Sequence, residues 1–260
     1  MTILNAHSVT LSYDQNEIAK DLSVSIPEGK FTVIVGPNAC GKSTLLRALS
    51  RLLPPQKGQI LLDGEDIHSL TTKTVAKRLG LLPQTATAPD GIKVTDLVAR
   101  GRYPHQKWFQ PWSEEDQRAV NLALDVTDTA QFASQQVDQL SGGQRQRVWV
   151  AMALAQETPL LLLDEPTTYL DIAHQIELLD LFKDLNLKNG RTLVAVLHDL
   201  NHACRYADHL IAMKSGRIIA TGNPNDIVNE TLIENVFGLR SVIIKDPISG
   251  TPMVVPKGRY

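Results

Sequence analysis

One segment constrains the fold of this chain more than any other. Gly36-Pro37-Asn38-Ala39-Cys40-Gly41-Lys42-Ser43-Thr44 fits the pattern G-x-x-x-x-G-K-[ST]. The apolar run Phe31-Thr32-Val33-Ile34-Val35 precedes it and reads as a buried strand. Leu45, Leu46, Leu49, Leu52 and Leu53 follow, and a helix through them places all five on one face. Strand, glycine-bearing loop and helix in this order let backbone N–H groups surround phosphates while the lysine balances their charge. At average composition, a chance match in a chain of this length is on the order of one per cent.

The rest of the chain must therefore supply a domain around a phosphate loop. Its 260 residues suffice for one large domain, or one domain with an inserted lobe. At 43% hydrophobic and 21% charged residues it can bury a sizeable core. A formal net charge of −2 gives no electrostatic reason to expect nucleic acid as a partner. Only two cysteines occur, Cys40 and Cys204, so no disulfide framework is read and a reducing cytosol fits. Met1-Thr2-Ile3-Leu4-Asn5 shows no basic segment leading into a long apolar one, so no signal peptide is read. The apolar runs at 160–163 and 193–197 are too short to span a bilayer.

Local pattern gives the organisation. Leu22, Val24 and Ile26 alternate with Ser23 and Ser25 as in a half-buried strand, and further short strands are expected at 59–63 and 79–83. From about Thr85 to Pro159 the pattern is mostly helical, with Ser113 and Asp116 spaced as an N-cap and its reciprocal partner. Strand and helix alternate again from Leu160, which indicates a mostly parallel sheet covered by helices. The expected architecture is an α/β core, built from 1–84 and 159–260, with a helical lobe over 85–158 inserted between its halves.

Two further segments carry chemistry. Leu160-Leu161-Leu162-Leu163-Asp164-Glu165-Pro166 is an apolar strand ending in adjacent carboxylates. Beside a phosphate loop, such a pair can complete the shell of Mg²⁺ through Asp164 and polarise a water through Glu165 as general base. Leu140-Ser141-Gly142-Gly143-Gln144 opens a helix running through Arg145, Val148, Ala151 and Met152. Glycine N–H groups and a serine hydroxyl at a helix N-terminus can face an anion.

Together these motifs resemble those of the ATP-binding subunits of ATP-binding-cassette (ABC) transporters, and the resemblance runs over essentially the whole chain. It implies a P-loop NTPase (RecA-like) α/β core with an N-terminal antiparallel β subdomain and an inserted α-helical subdomain. It implies ATP and Mg²⁺ as the bound species, with Gly36, Pro37, Asn38, Ala39, Cys40, Gly41, Lys42, Ser43 and Thr44 around the phosphates. Position 39 is often a third glycine in the family, so Ala39 is expected to avoid a positive φ. Ser43 and Asp164 would hold Mg²⁺. Gln84, after Leu82-Pro83, matches the glutamine that senses Mg²⁺ and water. His198 matches the histidine that contacts the γ-phosphate. Ser141, Gly142, Gly143 and Gln144 would bind nucleotide held by a second subunit, and Asp171 would lie at that dimer seam. Tyr13 stands where the family places an aromatic against adenine, although a tyrosine ending a strand is equally a packing residue.

The resemblance narrows further. Leu97-Val98-Ala99-Arg100-Gly101-Arg102-Tyr103-Pro104-His105, the segment from Asp164 to Gln175, Leu197-His198-Asp199-Leu200-Asn201 and the tail Asp246-Pro247-Ile248-Ser249-Gly250-Thr251-Pro252-Met253 are similar to importers of ferric siderophores, ferric citrate and haem. Cobalamin importers are near relatives, and a soluble ABC ATPase of iron–sulfur assembly is the alternative from another class. The implied assembly is a homodimer of ATPase subunits with two integral membrane permease subunits. It would lie on the cytoplasmic face of the bacterial inner membrane and be fed indirectly by a periplasmic or lipid-anchored binding protein. Residues 100–112, rich in aromatics, are expected to line the groove for a permease helix, with Tyr103 as an anchor. Two readings concern single side chains. His198, Asp199 and His202 have a spacing that could hold a metal, but His198 already has a role at the strand end, so His202 is read as a surface helix residue. Cys40, beside Lys42 and a helix N-terminus, is expected to be a reactive thiolate that nucleotide would shield.

Overall fold

The structure is a computed structural model, and it describes residues 2–106, 111–168 and 170–258. Two compact units emerge, residues 1–70 with 192–260, and residues 71–191.

The first unit begins with β1 (Thr2–Tyr13), β2 (Asn16–Pro27) and β3 (Phe31–Val35). Helix α1 (Lys42–Leu49), β4 (Lys57–Leu62) and β5 (Glu65–Asp66) follow. In β2 the alternation holds: Leu22, Val24 and Ile26 are buried while Ser23 and Ser25 face outward. That face lies in an antiparallel sheet of order β2-β1-β4-β5. By contrast β3 is buried at every residue, as expected for a strand covered on both faces.

Helix α1 is shorter than its leucine pattern suggests. Leu45, Leu46 and Leu49 are buried, but the helix ends at Leu49 and Leu52 is 64% exposed. Arg51 has turned to φ 67°, and the N–H groups of Leu52 and Leu53 return to the carbonyl of Arg47 at 2.9 and 3.1 Å. That closes the last turn with left-handed geometry, and Pro54-Pro55 cannot continue a helix. The expected five-leucine face is therefore corrected to three.

The second unit holds α2 (Thr72–Arg78), β6 (Leu79–Leu82), α3 (Val94–Ala99), α4 (Glu114–Val126) and α5 (Gly142–Ala155). It closes with β7 (Leu160–Asp164) and α6 (Ile172–Asn189). Strands β6 and β7 pair in parallel, Leu79 opposite Leu160 through Leu82 opposite Leu163. Ser113 and Asp116 form the expected capping box on α4, and Ser141 with Gln144 forms another on α5. Between α3 and α4 the chain passes very close to α5: a Cβ built on Gly101 would sit 2.2 Å from the carbonyl oxygen of Met152. Only glycine fits there.

The chain then returns to the first unit through β8 (Thr192–Val196), α7 (Leu200–Tyr206), β9 (His209–Lys214) and β10 (Arg217–Gly222). Short α8 (Pro224–Ile227), α9 (Glu230–Phe237) and the hairpin of β11 (Ser241–Lys245) and β12 (Pro252–Pro256) end it. Within this unit β3 lies between β8 and β9, parallel to both, and β10 pairs antiparallel with β9. A central parallel strand thus delivers the phosphate loop from its carboxyl end, where open α/β sheets place ligands.

Candidate functional site

In the first unit the loop after β3 is held tightly. A Cβ on Gly36 would lie 2.3 Å from the carbonyl oxygen of Met213 and 2.7 Å from the Cys40 sulfur, so the turn requires glycine. The N–H of Gly216 donates to the Cys40 carbonyl at 2.9 Å and ties the loop to the turn after β9. Lys42 is 5% exposed, and its Nζ donates to the carbonyls of Gly36 and Pro37, each at 2.9 Å. The ammonium thus arches back over the loop. Gly41 caps α1 without any side-chain hydrogen bond, so the first-turn N–H groups are not taken by a capping side chain. Uncapped amides around a buried cation suit a polyphosphate. Asn38 and Ala39 are exposed, Pro37, Gly41 and Ser43 half-buried, and Thr44 buried.

Two expectations for this loop are overturned. Ala39 has φ 59°, in the left-handed region it was expected to avoid. Alanine, the smallest residue with a Cβ, carries that conformation at a cost of about 1–2 kcal/mol. Cys40 is 4% exposed, and burial raises its thiol pKa. Lys42 and the loop N–H groups pull the other way, but desolvation outweighs them. Cys40 is therefore a thiol packed under the loop, not an exposed thiolate.

Tyr13 ends β1 at 38% exposure, and its hydroxyl accepts a long 3.4 Å hydrogen bond from Arg47 Nη1. His198 is exposed in the turn between β8 and α7. Asp199 caps α7, its Oδ1 accepting the N–H of His202 at 2.8 Å. That capping role explains the Asp199/His202 spacing, and His202 is a partly exposed residue of the helix.

In the second unit β7 ends on Asp164, 5% exposed, and the chain then turns sharply, with Glu165 at φ 51°. Gln84 follows β6, and its Nε2 donates to Glu165 Oε2 at 2.6 Å. The Thr168 hydroxyl donates to the same oxygen at 3.3 Å, and the Thr168 N–H to the Glu165 carbonyl at 3.2 Å. Parallel pairing of β6 with β7 is what brings residue 84 to residue 165. The carboxylate of Asp164 and hydroxyl of Ser43 are hard oxygen donors of the kind Mg²⁺ takes.

Ser141 Oγ accepts the N–H of Gln144 at 3.3 Å, while Gln144 Oε1 accepts the N–H of Ser141 at 3.0 Å. Gly142 is exposed, and a Cβ on Gly143 would reach ordinary contact with Leu170 at 3.6 Å. Asp171 caps α6, accepting from the His174 N–H at 2.9 Å and lying 2.7 Å from its Nδ1. These bonds, the backbone N–H first, hold the Asp171 carboxyl below its usual range. The D-x-x-H spacing was the available signal for this pair.

The segment at 100–112 divides. Tyr103 and Trp112 are 61% and 42% exposed, while Trp108 and Phe109 lie outside the described residues. Arg102, read from sequence as part of a surface stretch, is 1% exposed. It donates to Asp116 at 2.9 Å, Glu157 at 2.6 Å and the Ala155 carbonyl at 2.8 Å, fastening the start of α4 to the end of α5.

A phosphate loop on a central parallel strand, with paired carboxylates closing a second apolar strand, defines an α/β nucleotide-binding cassette. Residues 19–168 match the family model described as ABC transporter, and the chain belongs to that family. It is 58% identical over 256 residues to the ferric enterobactin transport ATP-binding protein FepC of Escherichia coli K12, covering 98% of this chain and 94% of that one. It is 52% identical to the probable siderophore transport system ATP-binding protein YusV of Bacillus subtilis 168, over 100% of this chain and 94% of that one. Among solved structures it resembles a chain from an inward-facing transporter described as metal-chelate type. There the TM-score is 0.85 at 27% identity, over 99% of this chain and 98% of that one. As an ABC cassette the protein is an ATPase, with a P-loop core, a β subdomain and a helical insert. Among the described residues no helix is long and apolar enough to cross a membrane.

Proposed function

We infer that this chain is the ATP-hydrolysing subunit of an importer for an iron(III) chelate of the siderophore class. The likeness to FepC over nearly the full length of both chains carries this reading. Residues 1–84 and 159–260 serve as the catalytic core and 85–158 as the lobe that transmits motion.

The proposed roles follow from the chemistry. Residues 36–44 wrap the ATP phosphates with backbone N–H groups. Lys42 exchanges its two carbonyl partners for phosphate oxygens, which places its charge where negative charge builds up. Tyr13 offers its ring to adenine. Ser43 and Asp164 would hold Mg²⁺, which would supply positive charge to neutralise the phosphates, and Gln84 would sense its presence. Glu165 accepts the proton of the attacking water as phosphate is transferred, and His198 donates to the γ-phosphate. Ser141, Gly142, Gly143 and Gln144, with Asp171, complete the site of the opposite subunit in a homodimer.

Two permease subunits receive the helical lobes through the exposed Tyr103 region, and a substrate-binding protein supplies the solute. The assembly sits at the cytoplasmic face of the plasma membrane. Deleting the gene and measuring radio-iron uptake from a panel of ferric chelates tests this. Loss with at least one chelate is expected; unchanged uptake from all of them, with lost cobalamin uptake, overturns the substrate assignment.

A further inference from the structure

A cavity of about 320 Å³ opens in the second unit, walled by α4, the end of α5 and α6. This lies at the small end of the roughly 300–1,000 Å³ of small-molecule sites. Its floor is hydrocarbon, from Ala123, Leu154 and Leu185, and its mouth carries Leu122 and Val126, 59% and 40% exposed. None of the nucleotide-handling residues lines it.

The charges at its edge are unevenly satisfied. Lys188 Nζ pairs with Asp184 Oδ2 at 2.7 Å, and Glu157 Oε2 takes the 2.6 Å bond from Arg102. Arg191 also lines the cavity and is half-buried, yet among the described residues its guanidinium makes no hydrogen bond or ion pair. Burial pulls its pKa down, and the nearby charge of Glu157 pulls it back up. A guanidinium offers five N–H donors in a fork that matches a carboxylate, and leaving them partly desolvated without acceptors is costly.

We propose that this cavity binds a small amphipathic carboxylate, its hydrocarbon body on the α4/α6 floor and its carboxylate on Arg191. Glu157 sets the charge: its own negative field favours a singly charged guest over a dianion or a phosphate monoester. The hydrocarbon floor rejects small inorganic anions, which offer nothing to bury.

Octanoate is the probe, with octanamide and octylammonium as partners of equal length, titrated into the full-length protein by calorimetry and protein NMR. One octanoate per chain is expected, binding at least tenfold more tightly than either partner. Arg191→Met keeps the stem of the side chain and is expected to lose that tenfold preference. Leu122→Glu changes only an exposed mouth residue, so folding is retained, and its added charge is expected to weaken octanoate alone. Equal binding of all three probes, no saturable octanoate binding, or an unchanged preference in the folded variants overturns the proposal. A cavity covered instead by a peptide segment of a protein partner would appear as the second of these results.

Discussion

Gln84 and Glu165 are joined by a 2.6 Å hydrogen bond, the amide nitrogen of one donating to Oε2 of the other. The residues lie 81 positions apart and meet because each follows one of two paired parallel strands. The carboxylate proposed as general base is thus oriented by a neighbour that is itself proposed to sense Mg²⁺. A second donor, the Thr168 hydroxyl, reaches the same oxygen.

Thr168 is therefore expected to position the base without touching nucleotide. Thr168→Val should lower kcat several-fold with KM for ATP nearly unchanged, and Thr168→Ser should restore most of the rate. Steady-state kinetics check this. An equal loss in the serine variant would point to packing by the threonine methyl instead.

Burial sets the behaviour of both cysteines. The thiol pKa of Cys40 is raised, and that of Cys204 is pushed up to about 12, chiefly by desolvation. Maleimide labelling of the native protein near neutral pH should be slow at both positions and little changed by Mg-ATP, whereas urea should open both. Peptide mass spectrometry reads the result, and fast, nucleotide-sensitive modification at Cys40 would contradict it.

The Arg102–Asp116 pair gives a pH dependence with a definite sign. Burial alone would raise the Asp116 pKa, but hydrogen bonds from Arg102 and Ser113 outweigh it and the net shift is downward from 3.8. A lowered folded-state pKa contributes stability that is fully present above the unfolded value. It is lost as pH falls below about 3.8 through the folded value. Asp116→Asn, which leaves Arg102 without that charge, should cost about 3 kcal/mol near neutral pH. The gap from the parent protein in urea unfolding should shrink steadily below pH 4. A gap independent of pH would assign the loss to packing.

Much of this was legible because the relevant signals are local. A phosphate loop declares itself through glycine and lysine at fixed spacing, and Ser113 with Asp116, or Ser141 with Gln144, meet within one helical turn. What escaped depends on distance or on backbone conformation. Arg102 finds Asp116 14 residues away and Glu157 55 away, so a surface reading of its stretch missed a buried cluster. The leucine pattern of α1 continues past the point where Arg51 turns left-handed. Cys40 has activating neighbours in sequence, but its burial under Gly36 is set by the fold.

Glu165 is proposed to activate the attacking water, and ATP hydrolysis by Glu165→Gln, measured alongside equilibrium binding of ATP, decides whether it does. Binding should be retained while turnover falls by about 10²- to 10⁴-fold, the usual contribution of a positioned general base. Hydrolysis by the variant at the parental rate would remove Glu165 from the role of general base.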